Sequence, residues 1–154
     1  MGPYYVTALV YLMGSVKAVS GMNNTGFKTR TITSQPKHGN VIPVEVPTHA
    51  TGLLRFENGA VANLITSFDV WASTLPRLEV HGTKGSMIVP DPNKFGGPVL
   101  LATEHDKVFK EIPLCAPYNE NSRGIGVSDM AQCILEGRTN LKASGRLACH
   151  VLDI

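Results

Sequence analysis

The sequence contains few charged and few aromatic residues for its length. Charged residues make up 17% of the 154 residues, whereas about 25% is usual for soluble domains. We infer that part of the surface is covered in the working protein, either by a second copy or by a neighbouring domain. The 14 basic and 12 acidic side chains give a net charge of +2 and form no basic run, so nucleic-acid binding is not expected.

Cysteine and histidine are also sparse, and their spacing does not favour a metal site. Cys115, Cys133 and Cys149 lack the C-x-x-C spacing of zinc and redox sites, and the histidines form no H-x-x-x-H pair. We predict reduced, mostly buried thiols in a cytoplasmic protein, without a bound metal. The apolar stretch from Tyr4 to Met13 is much shorter than the ~20 residues that span a bilayer, so no membrane anchor is expected.

The apolar spacing after Pro3 predicts an amphipathic helix that ends at Gly14. Its predicted core stripe consists of Val6, Leu9, Val10 and Met13. Its other face carries Tyr4, Thr7 and Tyr11, whose spacing directs three hydroxyl groups the same way. A strand from Val16 to Met22 is predicted next, followed by a polar excursion over 23–40 that contains at most a short strand.

The central part of the sequence predicts three hairpins and therefore an antiparallel sheet. The paired strands are predicted at Ala50–Phe56 and Ala60–Val70, at Arg77–His81 and Ser86–Val89, and at Val99–Ala102 and Val108–Ile112. Apolar residues occupy both alternating sets of Ala60–Val70, which is more than a sheet with one solvated face requires. We predict an α+β fold with an open-faced, predominantly antiparallel sheet, helices packed on one face and a partner on the other.

Two further helices are predicted near the end of the sequence, over Val127–Leu135 and over Ser144–Ile154. The apolar pattern of the last helix has no stop signal at Ile154. We interpret 1–154 as one domain whose two ends are cuts in a longer protein.

Three segments, in this order and spacing, resemble the C-terminal domain of the Gfo/Idh/MocA family of oxidoreductases, named after glucose-fructose oxidoreductase and inositol dehydrogenase. The segments are Met1-Gly2-Pro3-Tyr4-Tyr5 with Thr7-Ala8-Leu9, Glu79-Val80-His81-Gly82-Thr83-Lys84-Gly85-Ser86 with Val89-Pro90-Asp91-Pro92-Asn93, and Arg123-Gly124-Ile125-Gly126-Val127-Ser128-Asp129-Met130 with Ala143-Ser144-Gly145 and His150-Val151-Leu152-Asp153-Ile154. The likeness extends over essentially the whole chain.

The resemblance implies a two-domain enzyme in which an N-terminal Rossmann domain binds NAD or NADP. The C-terminal domain then supplies the substrate site and the oligomer contact, in a homodimer or homotetramer formed through the sheet face. The sequence contains no G-x-G-x-x-G after an apolar strand and no Glu-Lys-Pro motif. We therefore expect the cofactor to bind mainly outside this chain and expect no cofactor-binding residues within it.

The family's Asp-x-Gly-x-His motif identifies one residue of this chain as a candidate for proton transfer. Gly2 matches the motif's glycine, and Tyr4 stands where many members carry the histidine. Members similar to glucose-fructose oxidoreductase have tyrosine at this place. The resemblance therefore implies that Tyr4 donates or accepts the proton of the substrate hydroxyl, and the alternative is a structural tyrosine at a domain seam.

Five other side chains are candidates for binding a sugar or polyol: Thr7, Tyr11, Trp71, Asn119 and Arg123. Thr7 and Tyr11 share the face of Tyr4, and the alternative for them is a polar seam against the Rossmann domain. The ring of Trp71 suits the C–H face of a sugar, although core packing is the commoner role of a lone Trp. Asn119 and Arg123 precede a predicted helix, where helix capping and a surface salt bridge are the alternatives.

Three functional hypotheses remain open from the sequence. The first is the substrate-binding half of a nicotinamide-dependent oxidoreductase that acts on a sugar, polyol or related hydroxy compound. The second is a stand-alone sheet-mediated dimerisation or binding domain without catalysis. The third is an isomerase or dehydratase that uses the same sheet.

Overall fold

A computed structural model describes residues 2–154, which form three helices and nine strands. The helices are α1 (Gly2–Met13), α2 (Ile125–Leu135) and α3 (Gly145–Asp153). The strands are β1 (Val16–Asn24), β2 (Thr29–Thr31), β3 (Val41–Pro43), β4 (His49–Phe56), β5 (Val61–Ser67), β6 (Leu78–Gly82), β7 (Gly85–Val89), β8 (Val99–Thr103) and β9 (Lys110–Ile112). They form open antiparallel sheets, so the predicted α+β class is confirmed.

The chain divides into two compact units, each described separately below. The four-stranded unit contains residues 2–9 and 74–153, and the three-stranded unit contains residues 10–73 together with Ile154. Helix α1 is continuous, and its first eight described residues belong to the four-stranded unit. The helix ends where Gly14 N–H donates to the Val10 carbonyl at 2.9 Å, as the position of that glycine predicts.

The three-stranded unit is organised around β4, which pairs with β1 on one side and with β5 on the other. The β4–β5 turn is closed by a hydrogen bond from Phe56 N–H to the Ala60 carbonyl at 2.9 Å. The Asn58 side chain also accepts the Ala60 N–H at 3.0 Å. The hairpin predicted from the Asn-Gly pair is therefore confirmed.

The two faces of this sheet differ in burial. Leu54 and Phe56 on one face are each 1% exposed. The register places Met22, Leu53, Val61 and Ile65 on the opposite face, where they are 81%, 50%, 62% and 56% exposed. The apolar alternation predicted for both faces is therefore present, and one of the two apolar faces is solvent-exposed in the single chain.

The segment between β1 and β4 contains a second small sheet. Strands β2 and β3 pair antiparallel, with Arg30 opposite Ile42. The sequence predicted at most one short strand over 23–40, and β2 is that strand, whereas its partner β3 begins at Val41, beyond this range. The hairpin is extended by hydrogen bonds of the Ile32 backbone to Asn40 and Gly39 at 2.9 and 2.8 Å.

The four-stranded unit contains β6 to β9 in sequential antiparallel order. The two hairpins predicted here are confirmed, although β9 begins at Lys110 and not at Val108. The side chains that this unit buries are Val6, Leu9, Leu78 and Cys133. None of the helices within residues 2–154 has the length and apolar character that a bilayer span requires.

The prediction of mostly buried cysteines is wrong. All three thiols are free, but only Cys133 on α2 is buried, whereas Cys115 and Cys149 are exposed. Cys115 lies in the loop after β9, and α3, which carries Cys149, buries none of its residues. The exposure follows from these positions, which the residue type alone does not reveal.

Candidate functional site

The four-stranded unit contains a cavity of about 310 Å³ between the loop that follows β7 and the loop that follows β9. The cavity is lined by Val89, Pro90, Asp91, Pro92, Lys94, Phe95, Gly96, Gly97, Leu114, Cys115, Ala116, Pro117 and Asn119. Carbon-rich side chains form most of the wall, and one carboxylate, one ammonium and one amide group provide polar contacts. Such a composition is typical of small-molecule sites.

The first wall is shaped by a tight turn at Asp91. Its carboxylate Oδ1 accepts the N–H of Asn93 at 3.0 Å, and its carbonyl accepts the N–H of Lys94 at 2.9 Å. Pro on either side of Asp91 restricts the backbone, and the aspartate satisfies the turn's donors. The turn therefore holds the Lys94 backbone in place at the cavity wall.

Tyr5 on α1 reaches this wall through its hydroxyl group. The phenol donates a hydrogen bond to Asp91 Oδ1 at 3.0 Å, and both side chains are half-buried. Burial raises the pKa of Tyr5, and its bond to the carboxylate adds to the rise. The pKa of Asp91 is lowered, mainly by the N–H of Asn93 and further by the Tyr5 hydroxyl. This phenol therefore stays protonated and anchors the first turns of α1 to the loop.

The two loops that form the cavity approach each other most closely at Gly96. A Cβ atom at this position would lie 2.2 Å from the carbonyl oxygen of Asn119, which no real side chain tolerates. Glycine is therefore required for the loops to meet, and the close approach brings Asn119 into the wall.

Arg123 lies next to the cavity, through a contact with one of the lining residues. Its guanidinium carbon lies 5.9 Å from the centre of the Phe95 ring, within the range of a cation–π interaction. The exposed side chain contributes a positive charge beside Phe95, which lines the cavity. Of the residues predicted from the sequence, Asn119 and Arg123 are therefore the two associated with this cavity.

The other predicted residues lie elsewhere. On α1, Tyr4 is 53% exposed, Thr7 is half-buried and Tyr11 is 58% exposed. They keep the predicted spacing along one helix, and none of them lines the cavity described above. Tyr4 and Thr7 belong to the four-stranded unit, whereas Tyr11 belongs to the three-stranded unit.

Trp71 also belongs to the three-stranded unit, where it follows the end of β5. Its side chain is 93% exposed, so the alternative of core packing does not apply in this chain. A tryptophan that is almost fully exposed is unusual, because the ring contributes most when it is buried.

Sequence reasoning missed Asp91, which lines the cavity, and Tyr5, which donates a hydrogen bond to it. A signal for them was present in Pro90-Asp91-Pro92-Asn93 and in Gly96-Gly97, since these residue types specify turns. The sequence could not show that the loop after β9 lies against this turn. Among residues 2–154, no group of three His, Cys, Asp or Glu side chains is placed to hold a metal ion.

The fold defines an α+β domain with open antiparallel sheets and a cavity between two loops that follow strands. The profile described as the GFO/IDH/MocA C-terminal domain matches residues 1–88. The chain belongs to this family, as its sequence segments predicted. A comparison with curated protein sequences finds no match.

Solved structures share this fold. An aldose-aldose oxidoreductase from Caulobacter crescentus, complexed with glycerol, superposes with a TM-score of 0.69 at 23% identity, over 99% of this chain and 41% of its own. Levoglucosan dehydrogenase, in complex with NADH and levoglucosan, gives 0.66 at 21% identity, over 99% and 46%. An oxidoreductase from Thermotoga maritima gives 0.63 at 21% identity, over 98% and 37%. The chain therefore spans less than half the length of each of these proteins.

Proposed function

We propose that this chain is the substrate-binding and oligomerisation domain of a nicotinamide-dependent oxidoreductase that acts on a sugar, a polyol or a related hydroxy compound. The observation that carries the proposal is the family match over residues 1–88. Support comes from the shared fold, because structures with this fold include a levoglucosan dehydrogenase bound to NADH and L-sorbose and an aldose-aldose oxidoreductase bound to glycerol.

The substrate would be held by hydroxyl, amide and guanidinium groups and by aromatic rings. Tyr4 is the proposed proton donor or acceptor for the reacting hydroxyl, because its phenol is exposed on α1. The proposed hydrogen-bonding and stacking residues are Thr7, Tyr11, Trp71, Asn119 and Arg123. Asn119 has the strongest local support, because it lines a cavity that is large enough for a monosaccharide.

NAD or NADP would supply the hydride acceptor when bound. The residues of this chain fit a role beside that cofactor better than a role in holding it, because they include no glycine-rich fingerprint between a strand and a helix. We therefore place cofactor binding mainly in an N-terminal Rossmann domain of the same protein and propose a cytoplasmic location. Within this chain, the task is to orient the hydroxyl compound and to handle its proton.

The oligomerisation part of the proposal is supported by the exposed face of the three-stranded sheet. Met22, Leu53, Val61 and Ile65 form an apolar surface that crosses three strands. Apolar surfaces of this kind mark interfaces, and a second copy would present a complementary surface. The same observation favours the second candidate function, a sheet-mediated dimerisation or binding domain without catalysis.

The deciding experiment uses the longer product of the reading frame that contains this chain. We expect it to reduce NAD⁺ or NADP⁺ with at least one member of a panel of aldoses, polyols and anhydrosugars. In that product Tyr4→Phe should lower kcat by roughly 10²-fold or more, the range for general acid–base catalysis, and change KM much less.

Tyr118→Phe is the matched control, since it removes a phenol hydroxyl from an exposed side chain in a loop. It should leave kcat within about twofold. A self-associating product that reduces neither cofactor with any compound in the panel would favour the dimerisation domain and contradict the enzymatic proposal. Retention of full kcat in Tyr4→Phe would contradict only the role of Tyr4.

A further inference from the structure

The three-stranded unit contains a polar network centred on the carboxylate of Asp69. Its Oδ2 accepts the hydroxyl of Thr48 at 2.5 Å and the N–H of Gly26 at 3.2 Å. Its Oδ1 accepts a guanidinium N–H of Arg30. We call these four residues the Asp69 network. It joins three segments that are distant in sequence.

The centre of the network is largely protected from solvent, whereas Gly26 is exposed and the Arg30 side chain is 37% exposed. Thr48 is 8% exposed and the Asp69 side chain is 14% exposed, so the carboxylate is held by partners rather than by water. A Cβ at Gly26 would lie 2.7 Å from Asp69 Oδ2, so a larger residue here would force the carboxylate to shift. Arg30 also contacts the ring of Phe27, with 5.8 Å from its guanidinium carbon to the ring centre.

The network fixes the point where the chain leaves β5. Phe68 N–H donates to the Thr48 carbonyl at 2.8 Å, and Arg30 donates to the Phe68 carbonyl at 2.9 Å. The backbone on both sides of Phe68 is therefore held, and so is the Asp69 side chain. Trp71 follows two residues later and is 93% exposed. The most exposed aromatic ring of the described residues thus lies shortly after a backbone segment that hydrogen bonds hold in place.

An exposed ring on a rigid base is suited to ligand binding. Exposure leaves the ring's apolar surface solvated, which protein folding alone does not favour. A fixed base lowers the entropy lost when a ligand stacks on the ring. Arg30 and Asp69 form an ion pair, and Asp69 lies two residues before Trp71. Because this pair offsets the charge of the nearest carboxylate in the sequence, the site favours a neutral ligand with an apolar face and polar edges. A sugar ring has this chemistry.

We propose that the Asp69 network is a positioning device that holds Trp71 as a preset platform for the C–H face of a neutral sugar ring. Thr48, Asp69 and Arg30 are positioning residues, and Trp71 makes the contact. This inference rests on the proposed function for its substrate class. It adds the residues that determine where the aromatic contact stands.

The test uses the fluorescence of Trp71, which is the one tryptophan of the 154-residue chain. Thr48→Val keeps the shape of the side chain and removes the hydroxyl, whereas Thr48→Ser keeps the hydroxyl. Asp106→Asn is the matched control for charge, because Asp106 forms an exposed ion pair with Lys110 in the four-stranded unit. The probes are levoglucosan and D-glucose, titrated to high millimolar concentration, with time-resolved anisotropy recorded in parallel.

We expect saturable quenching of Trp71 by at least one probe in the wild-type chain. Thr48→Val should raise the Kd roughly tenfold, the usual scale for one hydrogen bond to a charged group. It should also lower the residual anisotropy of the ring. Thr48→Ser and Asp106→Asn should retain both values. If Thr48→Val does not fold, Asp69→Asn serves as the second variant with the same expected changes.

Unchanged anisotropy and an unchanged Kd in folded Thr48→Val or Asp69→Asn would overturn the proposal. So would the absence of sugar quenching in the wild-type chain. Failure of the proposed function has a different signature, because an inactive longer product would leave these fluorescence results intact. Conversely, an active enzyme whose own substrate does not quench Trp71 would overturn the platform alone.

Discussion

The two units of this chain present their candidate binding groups in opposite ways. In the four-stranded unit, loops after β7 and β9 border an open cavity of about 310 Å³ that Asn119 lines. In the three-stranded unit, the candidate group is the exposed ring of Trp71, which follows a partly buried hydrogen-bond network. The first arrangement is concave and depends on close backbone approach. The second is an exposed ring, and it depends on a carboxylate that accepts hydrogen bonds from neighbouring residues.

The two arrangements are sensitive to different substitutions. The strands of the three-stranded sheet are seven to nine residues long, and this sheet buries Leu54 and Phe56 almost completely. No strand of the four-stranded sheet exceeds five residues, and its loops carry the lining residues. We therefore expect core substitutions to act most on the first and loop substitutions to act most on the second.

The largest expected effect is that of Phe56→Ala, which would remove a side chain that is 1% exposed. A cavity of this kind costs about 3–5 kcal/mol of the free energy of unfolding. Urea denaturation monitored by far-UV circular dichroism measures it, because Trp71 is already 93% exposed in the folded chain and its emission would change little on unfolding. Phe68→Ala is the control, because Phe68 is 76% exposed and should change stability by roughly 0.5 kcal/mol or less. Equal losses of stability in the two variants would contradict the distinction between the buried Phe56 and the exposed Phe68.

A smaller effect is expected from Gly96→Ala, which tests the cavity. The added methyl group meets the Asn119 carbonyl at 2.2 Å, and overpacking of this kind costs about 1–3 kcal/mol. The loops should separate, so amide hydrogen exchange should accelerate in both of them. Gly39→Ala controls for the loss of glycine in a distant turn, where nothing lies within 4 Å of the added atom although the backbone φ is +88°. Unchanged exchange near Asn119 in Gly96→Ala would contradict the close approach.

The smallest effect is expected on acidification, where the carboxylates of Asp69 and Asp91 can be compared. The pKa of Asp69 is lowered from its ordinary 3.8, chiefly by the Thr48 hydroxyl and also by Arg30. The pKa of Asp91 is lowered chiefly by the Asn93 N–H. Both carboxylates have a lower pKa in the folded chain than in the unfolded chain. Each therefore contributes fully to the free energy of unfolding above about pH 3.8, and this contribution is lost as the pH falls through the folded-state pKa.

The measurement for these carboxylates is the urea midpoint at about pH 5 and about pH 2, where such contributions are lost. Asp69→Asn and Asp91→Asn should each reduce the acid dependence of the urea midpoint. An acid dependence in these variants equal to that of the wild type would contradict the assigned hydrogen bonds.

Local patterns were sufficient to predict most of the secondary structure. The Asn-Gly pair identified the β4–β5 turn, and Gly14 identified the end of α1. The pairing of β2 with β3 was not predicted, because these strands have three residues each. That is too few for an alternating pattern to be recognised. The candidate site was predicted less completely. Asn119 and Arg123 were found, but Tyr5 and Asp91 were missed because 86 residues separate them in sequence.

Local residue preferences and the order of the family-like segments were enough to predict the fold class, the family and the three central hairpins. Which polar groups meet could be read only from the folded chain. Thr48, Arg30 and Asp69 come together because strand pairing returns the chain to the same place, and Asn119 reaches the cavity because Gly96 leaves room for it. Such contacts depend on the path of the backbone through space, which no local pattern specifies.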